Sequence, residues 1–104
     1  MLTPSNSMLS DSLFKLTHEI YHHIHRTMPD GLVTKEQWAY NEAIASFETY
    51  KTLERTGMVP NNNNIFDGVG VVVNAFKNAE SDTAAMEILK AHYRNKWDEL
   101  YPPQ

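Results

Sequence analysis

His18 and His22 stand four residues apart with a carboxylate between them, in the run His18-Glu19-Ile20-Tyr21-His22. On a helix this spacing sets both imidazoles one turn apart on the same face, within reach of one zinc ion. Glu19 is then placed to take a proton from a water on that ion, which is the chemistry of metal-assisted hydrolysis. About 0.02 chance occurrences of the pattern are expected in a chain of this length and composition, so it earns a trial.

These five residues resemble the signature of the zincin metalloproteases. The resemblance implies His18 and His22 as metal ligands, Glu19 as general base and zinc as the cofactor, and it covers no more of the chain. The extended signature, with a Gly and a third His downstream, is absent, because His22 is followed by His23, Ile24 and His25. Glu42 and Glu48 are the candidates for a carboxylate third ligand, and the surrounding sequence does not choose between them. The family's substrate-binding edge strand has no evident counterpart. His18, His22 and His25 also share one helical edge, with His23 off it, a triplet suited to a divalent ion bound adventitiously or at a symmetric dimer contact. Glu19-x-x-His22 is half of the carboxylate–histidine pattern of di-iron bundles, and the chain has no second half.

The elements that must position these residues read as helices. Leu13, Leu16, Ile20 and Ile24 recur at helical spacing between about Ser10 and Thr27, and Pro29-Asp30-Gly31 ends that run. Thr34-Lys35-Glu36-Gln37 fits a capping box, opening a second helix with Tyr40, Ala43, Ile44, Phe47 and Tyr50 on one face. Gly57 and Pro60 close it. Asn61–Asn64 reads as a connecting loop. Residues 65–79 carry Gly68, Gly70 and the run Val71-Val72-Val73, which favours a strand at 65–73 on propensity. A lone strand would leave its backbone unpaired, so a helix with a loosened first turn is the preferred reading. Its glycines mark either a frayed start or a close helix approach. A fourth helix opens at Ser81 or Asp82, presents Ala85, Leu89, His92, Tyr93, Lys96 and Leu100, and stops before Pro102-Pro103. The expected fold is all-α, a small antiparallel bundle of about four helices with the third one central. Residues 10–101 form one domain, between a flexible 1–9 segment and a 102–104 tail.

On that wheel the apolar stripe of the first helix centres near ~20–30°, counted from Leu13 at ~100° per residue. His18 falls near ~140°, His22 near ~180° and Glu19 near ~240°, so the motif is expected on an open, solvated face. A catalytic zinc needs a desolvated cleft and outer partners for its histidines. This geometry turns the reading away from a hydrolase.

Composition narrows the classes further. The chain has 104 residues, 41% hydrophobic and 21% charged, with no cysteine and a formal net charge of −4. One core fits this length, and thiolate metal sites, disulfides and cysteine nucleophiles are excluded. No bulk positive field attracts nucleic acid, and His92-Tyr93-Arg94-Asn95-Lys96 is followed at once by Asp98 and Glu99. No apolar run reaches the ~20 residues of a membrane span, and no secretory leader is evident, so a cytoplasmic location is expected. Asp67-Gly68-Val69-Gly70 lacks the rest of a phosphate-binding loop.

The sequence therefore reads first as a small acidic protein-binding module without chemistry of its own. Its expected partner is another protein or a second copy of itself, with no cofactor. Trp38, Tyr93, Trp97 and Tyr101 are the expected contact residues, because such side chains bury much area at low entropic cost. Trp38 has a competing use, folding over the Leu32-Val33 connection. The alternative is a zinc-dependent hydrolase using His18, Glu19 and His22; a helix-turn-helix nucleic-acid binder is the third choice.

Overall fold

The computed structural model describes residues 6–24 and 34–102. They form four helices and, among the described residues, no strand: α1 (Asn6–Ile24), α2 (Lys35–Arg55), α3 (Gly68–Asn78) and α4 (Asp82–Leu100). The expected all-α bundle is what forms. α1 begins four residues before the anticipated Ser10. The anticipated stop at Pro29-Asp30-Gly31, His25 and the Leu32-Val33 connection lie outside the described residues.

Local chemistry fixes three of the starts. The Thr34 hydroxyl accepts from the Gln37 N–H while the Gln37 side chain accepts from the Thr34 N–H, completing the capping box. Asp67 caps α3 through the Val69 N–H, and Ser81 caps α4 through the Ala84 N–H. α2 ends at Arg55 with Thr56 as its C-cap, after which Gly57 takes a φ of +72°. The asparagine loop organises itself: the Asn62 side chain accepts from the Asn64 N–H, and the Asn64 side chain from the Phe66 N–H. A side chain at Gly70 would overlap the Asn64 carbonyl, so this glycine admits the loop backbone. Neither sequence reading of the glycines, a frayed start or a helix–helix approach, describes Gly70.

The core joins all four helices: Phe14 of α1, Ala43, Tyr50 and Leu53 of α2, Val69, Val72, Val73 and Ala75 of α3, and Leu89 of α4. Tyr50 stacks on Phe76 with ring centroids 3.9 Å apart. The most extensive interfaces belong to α2, against α4 and then α1. Its small residues Ala39, Ala43, Ala45 and Ser46, all buried, let neighbours approach on more than one side. α3, expected to be central, touches all the others over a shorter length. The anticipated α2 face also shifts, since Tyr40 is exposed and Ala45, outside that set, is buried. On α4, Ala85 and Leu89 are buried as expected, whereas Lys96 and Leu100 are exposed.

The largest departure concerns α1. Leu16 and Ile20 are 60% and 48% exposed, while Phe14 is buried and Thr17, His18, Tyr21 and His22 are half-buried. The helix is turned about 70° from the orientation its aliphatic stripe implies. Phe14 anchors it in the core, and polar partners on α2 hold the rest: the hydroxyl of Tyr21, which lies between the two histidines in the chain, is 2.7 Å from that of Thr52.

Candidate metal centre

Rotation of α1 carries the histidine motif from the solvent face to the α1–α2 interface. His18 Nε2 lies 3.0 Å from Glu42 Oε2, His22 Nε2 lies 3.1 Å from Glu42 Oε1, and the two Nε2 atoms are 2.9 Å apart. Only 13%, 28% and 21% of the three side chains remain exposed. Two i, i+4 pairs on facing helices build the arrangement: His18 and His22 on α1, Glu42 and Ser46 on α2. Expecting an open helix face was therefore an error. Leu16 and Ile20 outnumbered Phe14 in the aliphatic pattern, but Phe14 has the larger surface to bury.

Glu42, one of the two carboxylates left open by the sequence, joins the imidazoles, and Glu48 does not. Burial pushes the Glu42 carboxyl up, but hydrogen bonds from His18 and His22 outweigh it and hold the group at about 2. The Glu42 hydrogen bond raises His22 above its ordinary 6.5, against the opposing effect of burial. On the far side of the His18 ring, Nδ1 is 3.2 Å from the hydroxyl of Ser46, which is fully buried. Ser46 Oγ is in turn 2.7 Å from the Tyr93 hydroxyl on α4. Burial pushes that phenol up to about 12, with the Ser46 hydrogen bond opposing, so it stays protonated at any working pH. Sequence reasoning placed Tyr93 at a partner surface and did not reach Ser46.

The donor set fits a transition ion. Zinc bound tetrahedrally at ~2.05 Å separates neighbouring ligand atoms by ~3.3 Å. The observed 2.9–3.1 Å spacings need to open by only a few tenths of an ångström. Without an ion the Glu42 carboxylate draws a proton onto each Nε2, and two N–H groups then face each other across 2.9 Å. Two imidazoles and a carboxylate also leave a position open for a water or substrate, as catalytic zinc sites do. No match to this chain is found among protein-family models, characterised proteins or solved structures.

A cleft of about 370 Å³ opens beside His18, which alone of the three clustered side chains lines it, with Phe14, Lys15, Glu19, Val69 and Tyr93 among its other walls. Glu19 is exposed on its wall, next in sequence to a proposed ligand. His23 is exposed and outside the three-residue cluster.

The anticipated contact residues form a second group. Trp38 packs edge-on against Tyr93 and lies 5.7 Å from Trp97, and Trp97 lies 4.6 Å from Tyr101. Much of this aromatic surface is thus spent between α2 and α4, and Tyr101 alone of the four is exposed. The basic stretch of α4 is partly neutralised within the chain, Arg94 by Glu36 at 2.8 Å and Lys96 by Glu99 at 3.5 Å. No helix among the described residues is long and apolar enough to cross a membrane.

Proposed function

We propose that this protein is a metal-dependent hydrolase built on a minimal helical bundle, with His18, His22 and Glu42 holding a divalent transition ion. The convergence of those three side chains at 2.9–3.1 Å carries the reading. Nitrogen and carboxylate ligands without sulfur suit zinc. Such an ion supplies Lewis-acid activation of a water and of the scissile group. The chain's part is to hold the imidazoles in register, keep Glu42 ionised, and offer Glu19 as proton acceptor from the cleft wall. Among the described residues no strand edge is present to align a peptide, so small acyl or phosphoryl compounds suit the cleft better than an extended polypeptide.

The test is metal analysis of tag-free protein, followed by a hydrolase screen. About one zinc per chain is expected for wild type, none for His22→Ala, and full occupancy without turnover for Glu19→Gln. Absence of bound zinc in wild type after equilibration with micromolar metal overturns the reading. Unchanged turnover in Glu19→Gln removes the hydrolytic half of it.

A second reading, the protein-binding module, is supported by the exposed apolar side chains Leu9, Leu16 and Ile20 on α1 and by Tyr101. Sedimentation of wild type against Leu16→Glu and against the double change Trp38→Ala, Trp97→Ala tests it. Association lost in either variant supports the reading, and a wild type that is monomeric and captures no partner ends it.

A further inference from the structure

We infer that Ser46 and Tyr93 form a two-hydroxyl relay that sets which ring nitrogen of His18 carries the proton, making both of them positioning residues for the metal centre. The inference rests on the metal reading for its loaded state and on hydrogen-bond geometry alone for its empty state.

Nδ1 and Nε2 lie on opposite edges of an imidazole, and the proton on one decides what the other can do. In the empty state His18 Nε2 faces the Glu42 carboxylate at 3.0 Å and donates to it. Nδ1 is then a bare acceptor and takes the Ser46 O–H at 3.2 Å, while the Tyr93 O–H donates to Ser46 Oγ at 2.7 Å. To hold an ion, Nε2 must present its lone pair, so the proton belongs on Nδ1. Nδ1–H then donates to Ser46 Oγ, and the Ser46 O–H turns to donate to the Tyr93 oxygen. In both states Nδ1 and Ser46 Oγ keep their partners, and the exchange moves the ring proton from Nε2 to Nδ1 and turns the Ser46 and Tyr93 O–H bonds. A fully buried Ser46 has no water to substitute for either partner.

The same geometry assigns Tyr93 a role distinct from substrate contact. Its hydroxyl reaches the centre through Ser46 on the Nδ1 edge, whereas ligands gather on the Nε2 edge. Tyr93 is held from behind by the edge of Trp38, with centroids 5.9 Å apart, so α4 is tied to the orientation of an imidazole on α1.

Two measurements on the full chain test the relay. The first is the ¹⁵N spectrum of the His18 ring at about pH 8, metal-free and with one equivalent of Zn²⁺, in wild type, Ser46→Ala and Tyr93→Phe. Wild type is expected to carry the proton on Nε2 when empty and on Nδ1 when loaded. Both variants are expected to show mixed tautomers in the empty state. The second is Zn²⁺ affinity by competition with a chromophoric chelator: a weakening toward 100-fold is expected for Ser46→Ala and about tenfold for Tyr93→Phe. Tyr93→Phe removes one oxygen and keeps the ring packing, so its result does not depend on a disturbed fold. Ring shifts unchanged in both variants overturn the relay, whatever zinc does. A wild type that binds no zinc but shows an Nε2–H tautomer randomised by both variants overturns the metal reading and leaves the positioning role standing. Tautomers that respond while zinc affinity stays within twofold confine the relay to the empty state and overturn its role in metal binding.

Discussion

Replacing Glu42 with Gln keeps the shape of the side chain and removes the charge that both imidazoles face. The Glu42 carboxyl is held at about 2 against an ordinary 4.5, burial opposing and the His18 and His22 hydrogen bonds prevailing. At ~1.4 kcal/mol per pKa unit the difference corresponds to at most about 3.4 kcal/mol, and partial exposure of the site reduces it to about 2–3 kcal/mol. The pH window follows from the two directions. Glu42 sits below its unfolded value, so its contribution is complete above about pH 4.5 and is lost as pH falls toward about 2. His22 sits above its unfolded 6.5, so its contribution is complete below pH 6.5 and is lost as pH rises through the raised value. These are one attraction seen from its two partners and are not added. The metal-free protein should therefore gain most from the pair between about pH 4.5 and 6.5. Urea unfolding followed by tryptophan fluorescence, with chelator present, should show Glu42→Gln less stable by about 2–3 kcal/mol near pH 5.5. The gap should narrow toward pH 2.5 and again toward pH 8. Parallel stability curves for the two proteins across that range would refute the electrostatic account of the α1–α2 contact.

Zinc affinity should behave in the opposite sense at high pH. An ion displaces the proton that Glu42 helps His22 to keep, so log Kd measured by competition should improve with pH up to the raised His22 value and then level off. The two glycines that open α3 should part company in thermal melts. Gly70→Ala meets the Asn64 backbone and should cost at least ~1–3 kcal/mol, whereas Gly68→Ala meets nothing and should be neutral or stabilising by up to ~1 kcal/mol. Leu89→Ala empties a fully buried position between helices and should cost about 2–5 kcal/mol by chemical denaturation.

Capping chemistry made much of the fold legible. Thr34 and Gln37, and Ser81 ahead of α4, use backbone N–H groups within three residues, so tertiary structure adds nothing to the signal. The helix over Val71–Val73 was recoverable because a strand would have had no partner, an argument from backbone pairing that outweighs β-propensity. Which way α1 faces was not legible in the same manner. Aliphatic periodicity counts Leu16 and Ile20 as heavily as Phe14, and it cannot register that His18, Tyr21 and His22 find polar partners 24, 31 and 20 residues further on. Half of the centre was visible as His18-Glu19-x-x-His22. Glu42 stood among two candidates, and only the register of α2 against α1 separates it from Glu48. Ser46 carried no sign beyond its i, i+4 relation to Glu42, and Tyr93 looked like an interface residue because its hydroxyl partner lies 47 residues earlier.

The orientation of α1 is itself an argument about purpose. Burying a Leu or Ile side chain contributes roughly 1.5–3 kcal/mol, and α1 leaves Leu9, Leu16 and Ile20 about half exposed or more. In their place it takes two imidazoles and a carboxylate out of water, which is costly unless each finds a partner. Phe14 accounts for docking at one end of the helix, but it does not require histidines to follow it one and two turns later. A helix shaped by packing alone would favour the aliphatic face. Proteins depart from that optimum mainly where a site must be built. Here the departure falls on His18 and His22, which the sequence marks for chemistry, and on Glu42, which the fold adds to them. Polar groups gathered for a site, and not needed to stabilise the fold, are replaceable by well-packed aliphatic residues at little cost. The triple change His18→Leu, His22→Leu, Glu42→Leu should therefore fold at least as stably as wild type in metal-free denaturation while losing every trace of zinc binding. Loss of the fold in that variant would assign the cluster to architecture instead.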